Sequence, residues 1–174
     1  NTFSYTGAFS VAAAMGGATK TTSVDVANRS LEKTKEQFAV NGIDPETQQI
    51  YVMDVFDYFK YALKKQLTFD TVVVDPPSFA RTKKRTFSVV KDYGTLVAQI
   101  TPLVAPKGTL VLSTNAANVT ESQFQQMIEQ GIREADGNRR YRIVLKKGLP
   151  SDFAVPASTP LSDYLKVFFI EFNN

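Results

Sequence analysis

The chain's 174 residues fit one domain with a proper core, and 43% hydrophobic with 21% charged residues is ordinary globular composition. It contains neither Cys nor His, which excludes disulfides, thiolate and imidazole metal ligands, thiol nucleophiles and Ser-His-Asp triads, and agrees with a reducing cytoplasm. The net charge of +3 is too small to argue for nucleic acid by itself, and no apolar run is long enough to cross a bilayer.

The chain opens on NTFSYTGAFS, followed by a short apolar helical run over Val11–Met15 that Gly16-Gly17 stop. A Ser/Thr/Gly turn that opens a helix leaves backbone N–H groups free where a ligand can approach. Only Gly7 stands where a dinucleotide fold wants three spaced glycines. This counts against NAD or FAD, but not against a smaller nucleoside cofactor without phosphates. A strand is predicted over Ala18–Val26 with Asp25 near its end. Asp25 stands eighteen positions after Gly7, close to the spacing at which an acid on the second strand meets ribose hydroxyls. A helix over Ser30–Val40 ends at Asn41-Gly42. A strand over Gln48–Met53 follows with Asp54 at its tip, and then a helix over Val55–Lys65 with Phe56, Phe59 and Leu63 inward.

Phe69-Asp70-Thr71-Val72-Val73-Val74 reads as a strand buried on both faces, as in a parallel sheet between helices. It delivers Asp75 to its carboxyl end, where ligands bind in open α/β sheets. Pro76-Pro77 then make a stiff loop. The Asp75 carboxylate and the Pro76 carbonyl are adjacent acceptors suited to an exocyclic amine, and Phe79 can offer a stacking face. Arg81, Lys83, Lys84 and Arg85 follow directly and could hold phosphates of a polymeric substrate. A second basic cluster, Arg139, Arg140, Arg142, Lys146 and Lys147, reads first as solvated surface. Between the two lie a helix predicted over Ser88–Val104, a Pro106-Lys107-Gly108 turn, a strand over Thr109–Leu112 with Ser113-Thr114-Asn115 at its tip, and a helix over Glu121–Ala135. A strand over Tyr141–Leu145, a loop over Gly148–Pro160 and a final strand over Tyr164–Phe172 complete the chain. Alternating strands and helices give a doubly wound α/β domain with a strand pair at the end. Asp25, Asp54 and Asp75 then lie along one rim of the sheet, although each could singly be a helix N-cap.

FSYTGAFS, SVDV, MDVF, DPPSFA, PKGTLVLS and DYLK occur in this order. With these motifs the chain resembles the class I S-adenosylmethionine-dependent methyltransferases, and within them it is similar to the bacterial large-subunit ribosomal RNA methyltransferases I and K/L. The resemblance implies a Rossmann-like, mostly parallel sheet with an antiparallel C-terminal strand. It also implies that the first strand and the N-terminal RNA-binding domains lie outside the sequence, so that the chain is a catalytic domain expected to bind its cofactor weakly alone.

The resemblance further implies S-adenosylmethionine as cofactor, with Phe3, Tyr5, Thr6 and Gly7 at its methionine end, Asp25 on the ribose, and Asp54 and Val55 at the adenine. Asp75, Pro76 and Phe79 would face the methyl group and target base, with Asp75 also among the cofactor-binding residues, and Ser78, Arg81, Lys83, Lys84, Arg85 and Asn115 would face the RNA. Family members that methylate cytosine C5 attack with a cysteine, and none exists here, so a nitrogen of ribosomal RNA is the expected target. A metal is not expected, since the acids are spread along a rim. A protein or small-molecule substrate, or a non-catalytic RNA-binding module, remains open as an alternative.

Overall fold

The computed structural model describes residues 1–82, 84–154 and 164–173. In chain order it contains α1 (Ala8–Met15), β1 (Thr22–Asp25), α2 (Asn28–Val40), β2 (Gln49–Val52), α3 (Val55–Lys64), β3 (Phe69–Val74), β4 (Phe79–Arg81) and β5 (Thr86–Ser88). These are followed by α4 (Val89–Ile100), β6 (Val104–Thr114), α5 (Glu121–Ala135), β7 (Tyr141–Lys147) and β8 (Lys166–Phe172).

β2 and β1 pair in parallel, as do β3 and β6, and β8 and β7 complete the second group antiparallel. Thr2 joins the two groups by bridging Val24 and Val74, both in parallel. The sheet order is therefore β2-β1-Thr2-β3-β6-β8-β7, which is the expected mostly parallel sheet with an antiparallel C-terminal end. Connections into β1 and β2 run one way from Thr2, and those into β3 and β6 run the other. Right-handed crossovers consequently place α1 and α2 on one face and α3 and α4 on the opposite face. The order reverses between β1 and β3, and this is the switch point at which such sheets bind ligands.

The main core cluster lies between the sheet and α3, α4 and α5. Val24, Val72, Val74, Leu110, Leu112, Phe168 and Ile170 of the sheet are buried against Phe56, Phe59, Leu96, Val97, Phe124 and Ile128 of the helices. α5 starts on a capping box in which the Thr120 side chain and Gln123 satisfy each other's backbone N–H groups. Gly131 lets α5 approach α4, because a Cβ there would meet the Gly94 carbonyl and lie 2.7 Å from Val97 Cβ.

Several expectations need correcting. β3 is not buried on both faces. Val72 and Val74 are buried but Val73 is half-buried and Thr71 exposed, because the edge turned toward β1 is covered only by Thr2 at its end. Leu63 is exposed, and Ala62 completes the buried stripe of Val55, Phe56, Tyr58 and Phe59. β1 is shorter than Ala18–Val26 because its partner β2 is equally short. Just before β2, Gln48 Oε1 accepts from the backbone N–H and hydroxyl of Thr21. α4 stops at Ile100, and Thr101–Leu103 forms a 3₁₀ turn because Pro102 offers no N–H to continue the helix. β6 begins at Val104, so the Pro106-Lys107-Gly108 turn is an irregularity within a longer strand, with Lys107 at φ 61°. The Gly148–Pro160 loop and the DYLK segment fall partly outside the described residues. The second basic cluster has a structural role. Arg139 donates to the carbonyls of Thr101, Val104 and Ala105 at 2.6, 2.6 and 3.0 Å, Arg142 pairs with Glu171, and Lys146 pairs with Glu121.

Candidate active site

The opening turn is built on strained backbone. Phe3 and Tyr5 take left-handed φ of 53° and 50°, and Gly7 at φ 78° caps α1. Gly7 is required twice, since a Cβ there would also lie 2.5 Å from Thr34 Cγ2. Asp25, at the end of β1, holds the turn in place. Its Oδ2 accepts from the Tyr5 N–H and its Oδ1 from the Ala27 N–H, both at 2.9 Å. Asp54 at the tip of β2 is the N-cap of α3, with Oδ1 accepting from the Phe56 N–H at 2.9 Å. The N-cap role and the position on the rim therefore coincide in one residue.

Asp75, after β3, has its Oδ1 bonded by the Ser113 hydroxyl. The buried Tyr93 hydroxyl donates to the Ser113 carbonyl at 2.8 Å. Burial, and secondly the Asp75 charge, push the Tyr93 phenol well above its ordinary range, so it remains a donor at any working pH. One residue beyond β6, Asn115 Oδ1 accepts from the Ser78 hydroxyl at 2.6 Å, which ties the proline loop to the neighbouring strand tip.

These elements enclose one cavity of about 390 Å³, lined by Phe3, Tyr5, Asp25, Asp54, Val55, Asp75, Pro76 and Asn115 among others. Its size falls within the range of small-molecule sites. The three rim carboxylates, the opening turn and the proline loop thus meet in a single cleft. Thr6 and Gly7 shape the turn from outside this lining. Phe79 is 62% exposed and, with Ser78 and Arg81, stands outside the lining too. Lys83 lies outside the described residues.

The basic stretch is not a plain loop. Arg81 ends β4, and Lys84 and Arg85 lead into β5, in a hairpin whose Phe79, Ala80 and Arg81 pair with Ser88, Phe87 and Thr86. The hairpin brings Ala80, Thr82, Arg85 and Phe87 into the cavity wall. Arg85 stacks 4.1 Å from the centroid of the Phe56 ring, and Phe87 touches Phe3 and Phe56 with ring centroids 6.1 Å apart in each case. Lys84 pairs with Asp57 at 3.1 Å, and this hydrogen bond holds the Asp57 carboxyl below its usual range. Sequence reasoning missed Val26, Phe56, Pro77, Ala80, Thr82 and Phe87 as cavity residues and Tyr93 as a support. The alternation of Thr86, Phe87 and Ser88 after the basic run was the available signal for the hairpin. Among the described residues no cluster of acids is placed to hold a metal ion, and no helix is long and apolar enough to cross a membrane.

Comparison with known proteins identifies the family. The family model for S-adenosylmethionine-dependent methyltransferases matches residues 1–160. A Bacillus subtilis protein, YwbD, provisionally named a ribosomal RNA large subunit methyltransferase, is 55% identical over 171 residues, covering 98% of this chain and 43% of its own length. The ribosomal RNA large subunit methyltransferase K of Neisseria meningitidis is 41% identical over 117 residues, covering 66% of this chain and 33% of its own. The crystal structure of SMU.776, provisionally described as a methyltransferase and complexed with SAH, superposes with a TM-score of 0.89 at 50% identity, covering 98% of this chain and 44% of that one. The chain thus spans less than half the length of these relatives. With the model matching nearly its whole length, the chain belongs to the S-adenosylmethionine-dependent methyltransferase family.

Proposed function

We propose that the cavity binds S-adenosylmethionine and presents its methyl group to a base nitrogen of large-subunit ribosomal RNA. One observation carries this reading: Asp25, Asp54, Asp75 and the Phe3–Tyr5 turn line the same cleft at the sheet's switch point. The donor set fits the cofactor. Asp25 accepts only one backbone bond on each oxygen and retains lone pairs for ribose hydroxyls, while Asp54 Oδ2 can take the adenine amine with Val55 beside the ring. The turn of Tyr5, Thr6 and Gly7, with Phe3, borders the methionine end.

The sulfonium supplies an activated methyl group, so the protein's task is alignment in a site poor in water. Asp75 and the Pro76 carbonyl accept the N–H groups of the target base and turn its nitrogen lone pair into the cleft, while exposed Phe79 offers the base a stacking face. Arg85 and Asn115 line the cavity, and with Ser78, Arg81 and Lys84 they would meet the RNA. The exposed Lys84–Asp57 pair is weak enough to exchange for a phosphate. With Cys absent, attack on cytosine C5 has no thiolate, and this favours nitrogen.

Relatives that carry ribosomal RNA methyltransferase names support the substrate class. The test is mass spectrometry of ribosomal RNA from cells with and without the protein. One methylated nitrogen should disappear from large-subunit RNA. An unchanged modification map would overturn the reading.

A further inference from the structure

Among the described residues, Asp75 is the rim carboxylate bonded by a side-chain hydroxyl, whereas Asp25 and Asp54 take backbone N–H groups. Backbone donors at a turn and at a helix start come with the fold. The Ser113 hydroxyl could have been any small side chain. Ser113 is 7% exposed, on the last turn of the pleat of β6, and its carbonyl is fixed from below by Tyr93, which is fully buried. The neighbouring tip residue Asn115 bonds Ser78 in the same loop, so β6 grips the DPPSF loop on both sides of Pro76-Pro77.

We infer that Ser113, backed by Tyr93, is a positioning residue for methyl transfer: it fixes Asp75 Oδ1 and leaves Oδ2 as the oxygen offered to the target base. This rests on the role proposed for Asp75 above. A carboxylate on a short side chain swings freely about χ1 and χ2, and one hydroxyl on one oxygen selects a single orientation. Misplacement of a reacting group by about 1 Å can cost on the order of 100-fold in rate, so the hydroxyl acts on turnover and not on cofactor affinity.

The test compares wild type, Ser113→Ala, Ser113→Thr and Tyr93→Phe, with kcat and KM on large-subunit ribosomal RNA and calorimetric Kd for S-adenosylhomocysteine. S113A should lower kcat roughly 10- to 100-fold, following that positioning cost, with KM and Kd unchanged. S113T, which keeps the hydroxyl, should recover most of the rate, and Y93F should fall between. Wild-type kcat in S113A overturns the inference, and so does a loss of Kd and thermal stability in step with kcat. If the wild type transfers no methyl to the RNA, the proposed function fails by itself. A crystal structure of S113A then decides the positioning role: the Asp75 carboxylate should leave its wild-type orientation while β6 and Tyr93 stay in place, and an unmoved carboxylate refutes it.

Discussion

Asp25 accepts a 2.9 Å hydrogen bond from the backbone N–H of Tyr5, twenty residues earlier in the chain, and this joins the tip of β1 to a turn held at left-handed φ. The same carboxylate is thus both the latch of the turn and a wall of the cavity. Removing it in Asp25→Ala takes away charge-assisted bonds worth about 1.5–3 kcal/mol each. Affinity for S-adenosylhomocysteine should fall by at least roughly 10-fold, read by calorimetry.

Gly131 makes a second claim on stability. Gly131→Ala places a methyl against the Gly94 carbonyl and Val97, and overpacking of this kind costs about 1–3 kcal/mol. Urea unfolding should show a lower midpoint with an unchanged m-value. A neutral result would mean that α4 and α5 separate at no cost.

With Asn1 as the free terminus, its amino group is buried beside Thr22, and burial lowers its pKa to about 5. In the unfolded chain it titrates near 8. Between those values the unfolded state binds more protons, so this group makes stability rise with pH from about 5 to about 8 and adds no slope outside that window. The span corresponds to at most about 4 kcal/mol. Acetylating the terminus should flatten the rise in denaturation midpoint across that window while keeping the N–H bond to Thr22.

Below Thr2, β1 and β3 flank a second cavity of about 400 Å³ lined by Thr22, Val72 and Val73. An added strand would pair with both edges there. Fusing before Asn1 a short β-strand segment designed to pair with both edges should tighten cofactor binding, by steadying the Phe3–Tyr5 turn. Equal calorimetric affinity would refute that.

The mostly parallel sheet and the placing of the three acids along its rim could be read from the sequence because apolar strands ending in Asp are local patterns. SVD, MD and VVVD each carry their own boundary. The hairpin β4–β5 could not be read so easily, since each of its strands is three residues long and a basic turn between them looks like a loop. Tyr93 was hidden for another reason. It sits within the apolar stripe of α4, and its hydroxyl gains meaning only through Ser113, twenty residues away. Arg139 and Arg142 likewise looked like solvated charge until their partners, backbone carbonyls and Glu171, were in place.

The central claim is that Asp75 directs a base toward a cofactor held elsewhere in the cleft. Asp75→Ala tests it most directly, with tritiated methyl transfer from S-adenosylmethionine to large-subunit ribosomal RNA measured beside calorimetric S-adenosylhomocysteine binding. The account predicts that transfer drops at least about 100-fold while cofactor affinity stays within about threefold of wild type. Transfer at the wild-type rate in D75A would contradict it.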